Sequence, residues 1–193
     1  MNFEQAKLDI EQWIVEFVEK PNPMLNGWAP CPYARQARLS KKVDIRPGCY
    51  NPIDDLKHVV MNDFDVVALV YGRERWPADE FNQLVDTANF VHLSSQGLIA
   101  LADHPGDAEM VNGVAMNQGT YAIVFVQDLD KLNHFAKILG SKGFYNGWDE
   151  EYLKVLFSGR EDPRSWHTNM QELICLKPHT SLLWIGSTFA NPT

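Results

Sequence analysis

Asp65-Val66-Val67-Ala68-Leu69-Val70-Tyr71 is the stretch whose reading decides the fold. Residues 66–70 are all apolar, with no polar residue at alternate positions. A strand with one wet face would alternate, so this run is apolar on both faces and belongs at the centre of a sheet. Two more runs of the same kind follow, at 98–102 and 120–127. Between the first two, Phe81, Leu84, Val85, Ala88 and Val91 recur at helical spacing over 77–94, and Gly97 closes that helix. After the third run, Asp128 is placed to cap a helix through Leu139, with Leu132, Phe135 and Ala136 turned inward.

The order is therefore strand, helix, strand, strand, helix, followed by late strand candidates at 172–176 and 181–186. That is a ferredoxin-like split βαβ order in a mixed sheet, an α/β (α+β) class. The 103–119 segment reads as a long loop joining two adjacent antiparallel strands. Upstream, 2–20 reads as an amphipathic helix with Ala6, Ile10, Trp13, Ile14, Phe17 and Val18 on one stripe, capped by Asn2. A proline-rich loop over 21–32, a short helix at 33–39, a weak strand at 43–46 and a short helix at 52–61 come next. A last short helix is expected at 149–157. With no linker or repeat, the 193 residues read as one domain. Its parts are an N-terminal helix and Cys-Pro loop (1–60), a sheet-and-helix core (61–140) and a C-terminal extension (141–193).

Composition narrows the partners. The formal net charge is −8, from 25 acidic and 17 basic residues. A nucleic-acid backbone needs a basic face, so nucleic acid is not the expected partner. No apolar run approaches a membrane span, and 1–20 lacks the basic start and continuous apolar run of a signal peptide. Three widely spaced cysteines, Cys31, Cys49 and Cys175, make neither a disulfide framework nor a zinc knuckle. A reducing cytoplasm is the expected setting. No sequence motif names a cofactor. A small anionic molecule and a second copy of the chain are the partners left open.

The chemistry centres on Gly27-Trp28-Ala29-Pro30-Cys31-Pro32-Tyr33-Ala34-Arg35-Gln36-Ala37-Arg38. Pro32 suits the start of a helix, because its missing N–H would be unpaired there anyway. Cys31 then sits at or near a helix N-cap, where unpaired N–H groups lower a thiol pKa. Arg35 and Arg38 add positive charge and could hold an anion. The other reading is a small buried apolar residue wedged between prolines. His104 is the second candidate, in Asp103-His104-Pro105-Gly106-Asp107 at a strand C-terminus, where functional loops collect in α/β sheets. That stretch is also good turn chemistry by itself.

Together, the opening helix, Cys31-Pro32-Tyr33-Ala34 and His104-Pro105 resemble an uncharacterised bacterial protein family. Its members carry Leu-Asn-Leu-Cys-Pro-Phe-Ala after an N-terminal helix and Phe-His-Pro-Asp-Tyr after a later strand. Here Trp28-Ala29-Pro30 replaces the Leu-Asn-Leu. The resemblance implies no activity; it picks out Cys31 and His104 together.

Three expectations follow. The first is a small-molecule enzyme with Cys31 as thiolate, His104 as base and Asp107 or Glu109 as the orienting carboxylate. Arg35, Arg38, Trp28, Tyr33, Asp103 and Asp107 would bind its substrate. The second is a non-catalytic binding or interaction module. The third is a metal-dependent enzyme built on His104 with His92, Asp103, Asp107 and Glu109, a set without recognised ligand spacing. Trp166 and His167 are further candidates for closing a pocket.

Overall fold

The computed structural model describes residues 1–157. The late strand candidates, Trp166 and His167 lie outside the described residues.

Four strands form the main sheet: β1 (Val43–Pro47), β2 (Val66–Tyr71), β3 (Leu98–Asp103) and β6 (Ala122–Asp128), in the order β1-β2-β6-β3. β2 runs parallel to β1 and antiparallel to β6, which runs antiparallel to β3. All six residues of β2 are buried, as its unbroken apolar run requires. Side chains alternate faces. Val66, Ala68, Val70, Ile99, Leu101, Ile123 and Phe125 join one core. Val67, Leu69, Tyr71, Ala100, Ala102, Val124 and Val126 join the other.

Helices cover both faces. On the first lies α1 (Phe3–Trp13), continued by a π-helical turn (Ile14–Val18), through Ala6, Ile10, Ile14 and Val18. The Asn2 side chain accepts a hydrogen bond from the Gln5 N–H, as the capping pattern requires. α2 (Ala34–Leu39) and α5 (Leu129–Ser141) pack on this face through Ala34, Leu132, Ala136 and Leu139, and α6 (Glu150–Leu156) through Leu153. α3 (Pro52–Lys57) and α4 (Ala78–Ala88) cover the second face through Leu56, Phe81, Val85 and Ala88. A π-helical turn (Asn89–Leu93) extends α4, and Gly97 at φ +68° turns the chain into β3.

The split βαβ is present: β2, α4 and β3 make a crossover, and β6 fills the place left between the two strands. Two features vary the ferredoxin-like pattern. The edge place beside β2 is taken by the earlier strand β1, parallel to it. α4 and α5 lie on opposite faces of the sheet. The 103–119 segment does join adjacent antiparallel strands, but it is not all loop. It folds into a hairpin, β4 (Met110–Val111) against β5 (Val114–Ala115). Asn112 and Gly113 turn it, both at positive φ (50° and 81°). That is the two-residue turn that Asn-Gly favours.

Candidate functional site

The Cys-Pro loop is pinned where the first helix ends. The Cys31 N–H donates to the Val18 carbonyl at 3.0 Å, and the Ala34 N–H donates to the Cys31 carbonyl at 3.1 Å. Tyr33 occupies the N-cap of α2. The backbone N–H groups of Tyr33 and Ala34 also face the Cys31 sulfur and favour the thiolate, as expected of a helix start. Burial outweighs them. Cys31 is 5% exposed, and desolvation pushes its thiol up to about 11 from an ordinary 9.0. The expected low-pKa thiolate is therefore corrected: the helix end is there, but the apolar packing around the sulfur wins.

His104 lies elsewhere. Cys31 lines the end of the sheet where β2 begins and β6 ends, beside Val66, Gln127 and Asp128. In the pairing register Gln127 lies opposite Ile99, near the start of β3. His104 follows the last residue of β3, so the length of a strand separates the two, about 16 Å at the usual rise per residue. They also belong to opposite faces, since His104 packs on Phe81 with ring centroids 5.6 Å apart. Direct proton transfer needs contact near 3 Å, so the Cys31–His104 pair is corrected as well.

Both nitrogens of the His104 ring are engaged, one within its own turn and one with the chain after β2. Nδ1 accepts from the Gly106 N–H at 3.0 Å, and Nε2 lies 3.2 Å from the Arg73 carbonyl. With Nδ1 accepting, the proton sits on Nε2 and donates to that carbonyl. Neither Asp107 nor Glu109 orients the ring. The Asp107 carboxylate accepts from Asn82 Nδ2 at 2.8 Å, and the Glu109 carboxylate accepts from the Tyr152 hydroxyl. The turn itself supplies the Gly106 bond to the ring and the Asp107 N–H bond to the His104 carbonyl, while Arg73, Asn82 and Tyr152 tie the segment to the rest of the fold.

Asp103 points to the other face. Its carboxylate accepts from Asn117 Nδ2 at 3.1 Å and from the Gln118 N–H at 3.0 Å, tying the hairpin segment back to β3. Burial, only partly offset by those bonds, raises it to about 6. It braces a loop rather than meeting Cys31. Among the described residues no three His, Cys, Asp or Glu side chains gather as metal ligands would, so the set around His104 does not converge.

The anion-binding residues also separate. Arg38 donates to both Glu19 carboxylate oxygens, at 2.8 and 2.7 Å, and holds that carboxyl below the usual range. Arg35 is exposed on α2, outside the pocket lining. Trp28 packs edge-on against Phe144, 5.6 Å between centroids, and does not line the pocket beside Cys31.

Tyr33 does. It stacks on Phe135 of α5 at 4.2 Å and forms one wall of a pocket of about 100 Å3 between α2, α5 and the sheet. Cys31, Ala34, Ala37 and Leu132 line its interior, with Gln127 from β6. Asp65, Asp128 and Lys131 stand at its rim. Lys131 pairs with Asp65, and the Asp128 carboxylate accepts from the Lys131 backbone N–H at 2.7 Å, capping α5. Gln127, Phe135 and Lys131 were not among the expected site residues. Gln127 carried a signal: in an inward series with Ile123 and Phe125 it is the polar member.

No family model, no curated protein and no solved structure matches this chain.

Proposed function

We propose that this chain is a non-catalytic binding module whose site is the pocket between α2, α5 and the sheet. One observation carries the reading: the pocket is largely apolar, and each charged group that lines it among the described residues is already engaged. Cys31 enters it as a thiol, raised well above neutral pH, so it contributes packing rather than nucleophilicity. Small-molecule sites are commonly concave and apolar with a few placed polar groups.

The test is a thermal-shift and NMR titration with three one-ring probes, acetophenone, isopropylbenzene and benzoate. Binding raises Tm by mass action. Leu132→Phe and Ala37→Met, which fill the pocket from α5 and α2, are the controls. We expect at least one probe to stabilise the wild-type protein, with chemical-shift changes at 31–37 and 127–139 that either filling variant abolishes. If no probe perturbs those residues at millimolar concentration, the reading is wrong.

A further inference from the structure

Resting on that reading of the pocket, we infer that its ligand is a neutral molecule of about one-ring size carrying a carbonyl oxygen, which accepts a hydrogen bond from Gln127 Nε2. The Gln127 side chain is only 7% exposed, and its Nε2 is buried without a hydrogen-bond partner among the described residues. Buried amides left in that condition are uncommon and costly. Gln127 follows Ile123 and Phe125 on the face of β6 that holds Cys31, and it lines the pocket. An acceptor placed in the pocket would therefore satisfy a donor that the described residues leave open.

Charge selects a neutral ligand. The rim carries Asp65 and Asp128 against Lys131, a formal balance of −1, and Lys131 is committed to Asp65. Neither Arg35 nor Arg38 lines the pocket, so among the described residues no uncommitted cation would neutralise a carboxylate or phosphate there. Size sets the rest. A cavity of roughly 150 Å3 holds a benzene ring, so about 100 Å3 beside the Tyr33–Phe135 stack admits at most one ring or a short branched chain, with any further group at the rim. A single water is a poorer occupant, since it needs two to four polar partners.

The three probes separate the possibilities. Acetophenone and isopropylbenzene share shape and differ in the carbonyl; benzoate adds a charge. We expect acetophenone to bind about 5- to 10-fold tighter than isopropylbenzene, the ratio one net hydrogen bond supplies, and benzoate to bind more weakly than acetophenone. The Gln127 side-chain NH2 resonances should shift on acetophenone titration. Gln127→Leu, or Gln127→Met if the first variant folds poorly, should erase the preference. Equal binding of acetophenone and isopropylbenzene, with no shift of the Gln127 amide, overturns this inference and leaves the pocket reading standing. Tightest binding by benzoate overturns the neutral assignment. Failure of all three probes overturns the pocket reading itself.

Discussion

Replacing Cys49 and Cys175 with serine leaves Cys31 as the one thiol in the chain, and its titration decides between packing and chemistry. The sulfur lies under Tyr33 and Ala34, 5% exposed, with its pKa pushed from 9.0 up to about 11. That difference corresponds to about 2.7 kcal/mol favouring the thiol over the thiolate in the folded protein. At pH 8 the thiolate fraction falls from about a tenth to about a thousandth, a ~100-fold loss of nucleophile before any steric exclusion. The assay is ultraviolet absorbance of the thiolate against pH, paired with iodoacetamide labelling. A second variant keeping exposed Cys49 in place of Cys31 serves as reference. We expect Cys31 to titrate near pH 11 and to label at least ~100-fold more slowly than Cys49 at pH 8. The sign carries into stability. Between about pH 9 and 11 the unfolded chain has lost the Cys31 proton while the folded chain keeps it. Cys31 therefore withdraws up to about 2.7 kcal/mol of stability across that window, a component that Cys31→Ala lacks. A Cys31 midpoint at or below the ordinary 9.0 would refute the packing argument and revive the thiolate enzyme.

Two other perturbations test the frame that holds the pocket. Asp103 is raised from 3.8 to about 6, so the folded state holds its proton more tightly than the unfolded state. As pH rises from about 4 to 6, this group costs the fold an amount on the order of 3 kcal/mol at most. Chemical denaturation of wild type and Asp103→Asn at pH values across that window should show the component in the first and not in the second; parallel pH profiles would refute it. Asn89, in the π-helical turn after α4, donates Nδ2 to the Ala100 carbonyl at 2.8 Å and accepts the Ala100 N–H at 2.7 Å. Asn89→Ala removes both buried bonds from β3 and should cost about 2 kcal/mol in denaturant unfolding. An unchanged midpoint would mean that the pair is dispensable.

The fold was legible because the apolar patterns are long and consistent. Residues 66–70 admit no other reading than a strand buried on both faces. Asp128 and Gly97 mark a helix start and a helix stop that the structure reproduces. The hairpin at 110–115 was missed although Asn112-Gly113 announces it, because its two-residue strands are too short to show alternation. The weak strand expected at 43–46 forms as Val43–Pro47 and takes the edge place beside β2, through a register that residues so far apart in sequence cannot display.

The site was harder to read for a physical reason. A thiol's reactivity depends on the balance between N–H groups aimed at it and solvent withdrawn from it. Sequence reports the first, through Pro32 and the helix that follows, and is nearly silent on the second. Cys31 is surrounded by groups distant in the chain: Val18 holds its N–H, Val66 and Leu132 share its pocket, and Phe135 stacks on its neighbour Tyr33. Those contacts decide that desolvation prevails. Gln127 shows the converse. A glutamine at the end of an apolar strand reads as the point where the strand meets water, yet period-two alternation from Ile123 and Phe125 turns it inward. The same alternation that separates Cys31 from His104 places an amide donor beside Cys31. On the proposed reading, the pocket's polar specificity rests on the residue that ends an apolar strand, rather than on the cysteine that first draws the eye.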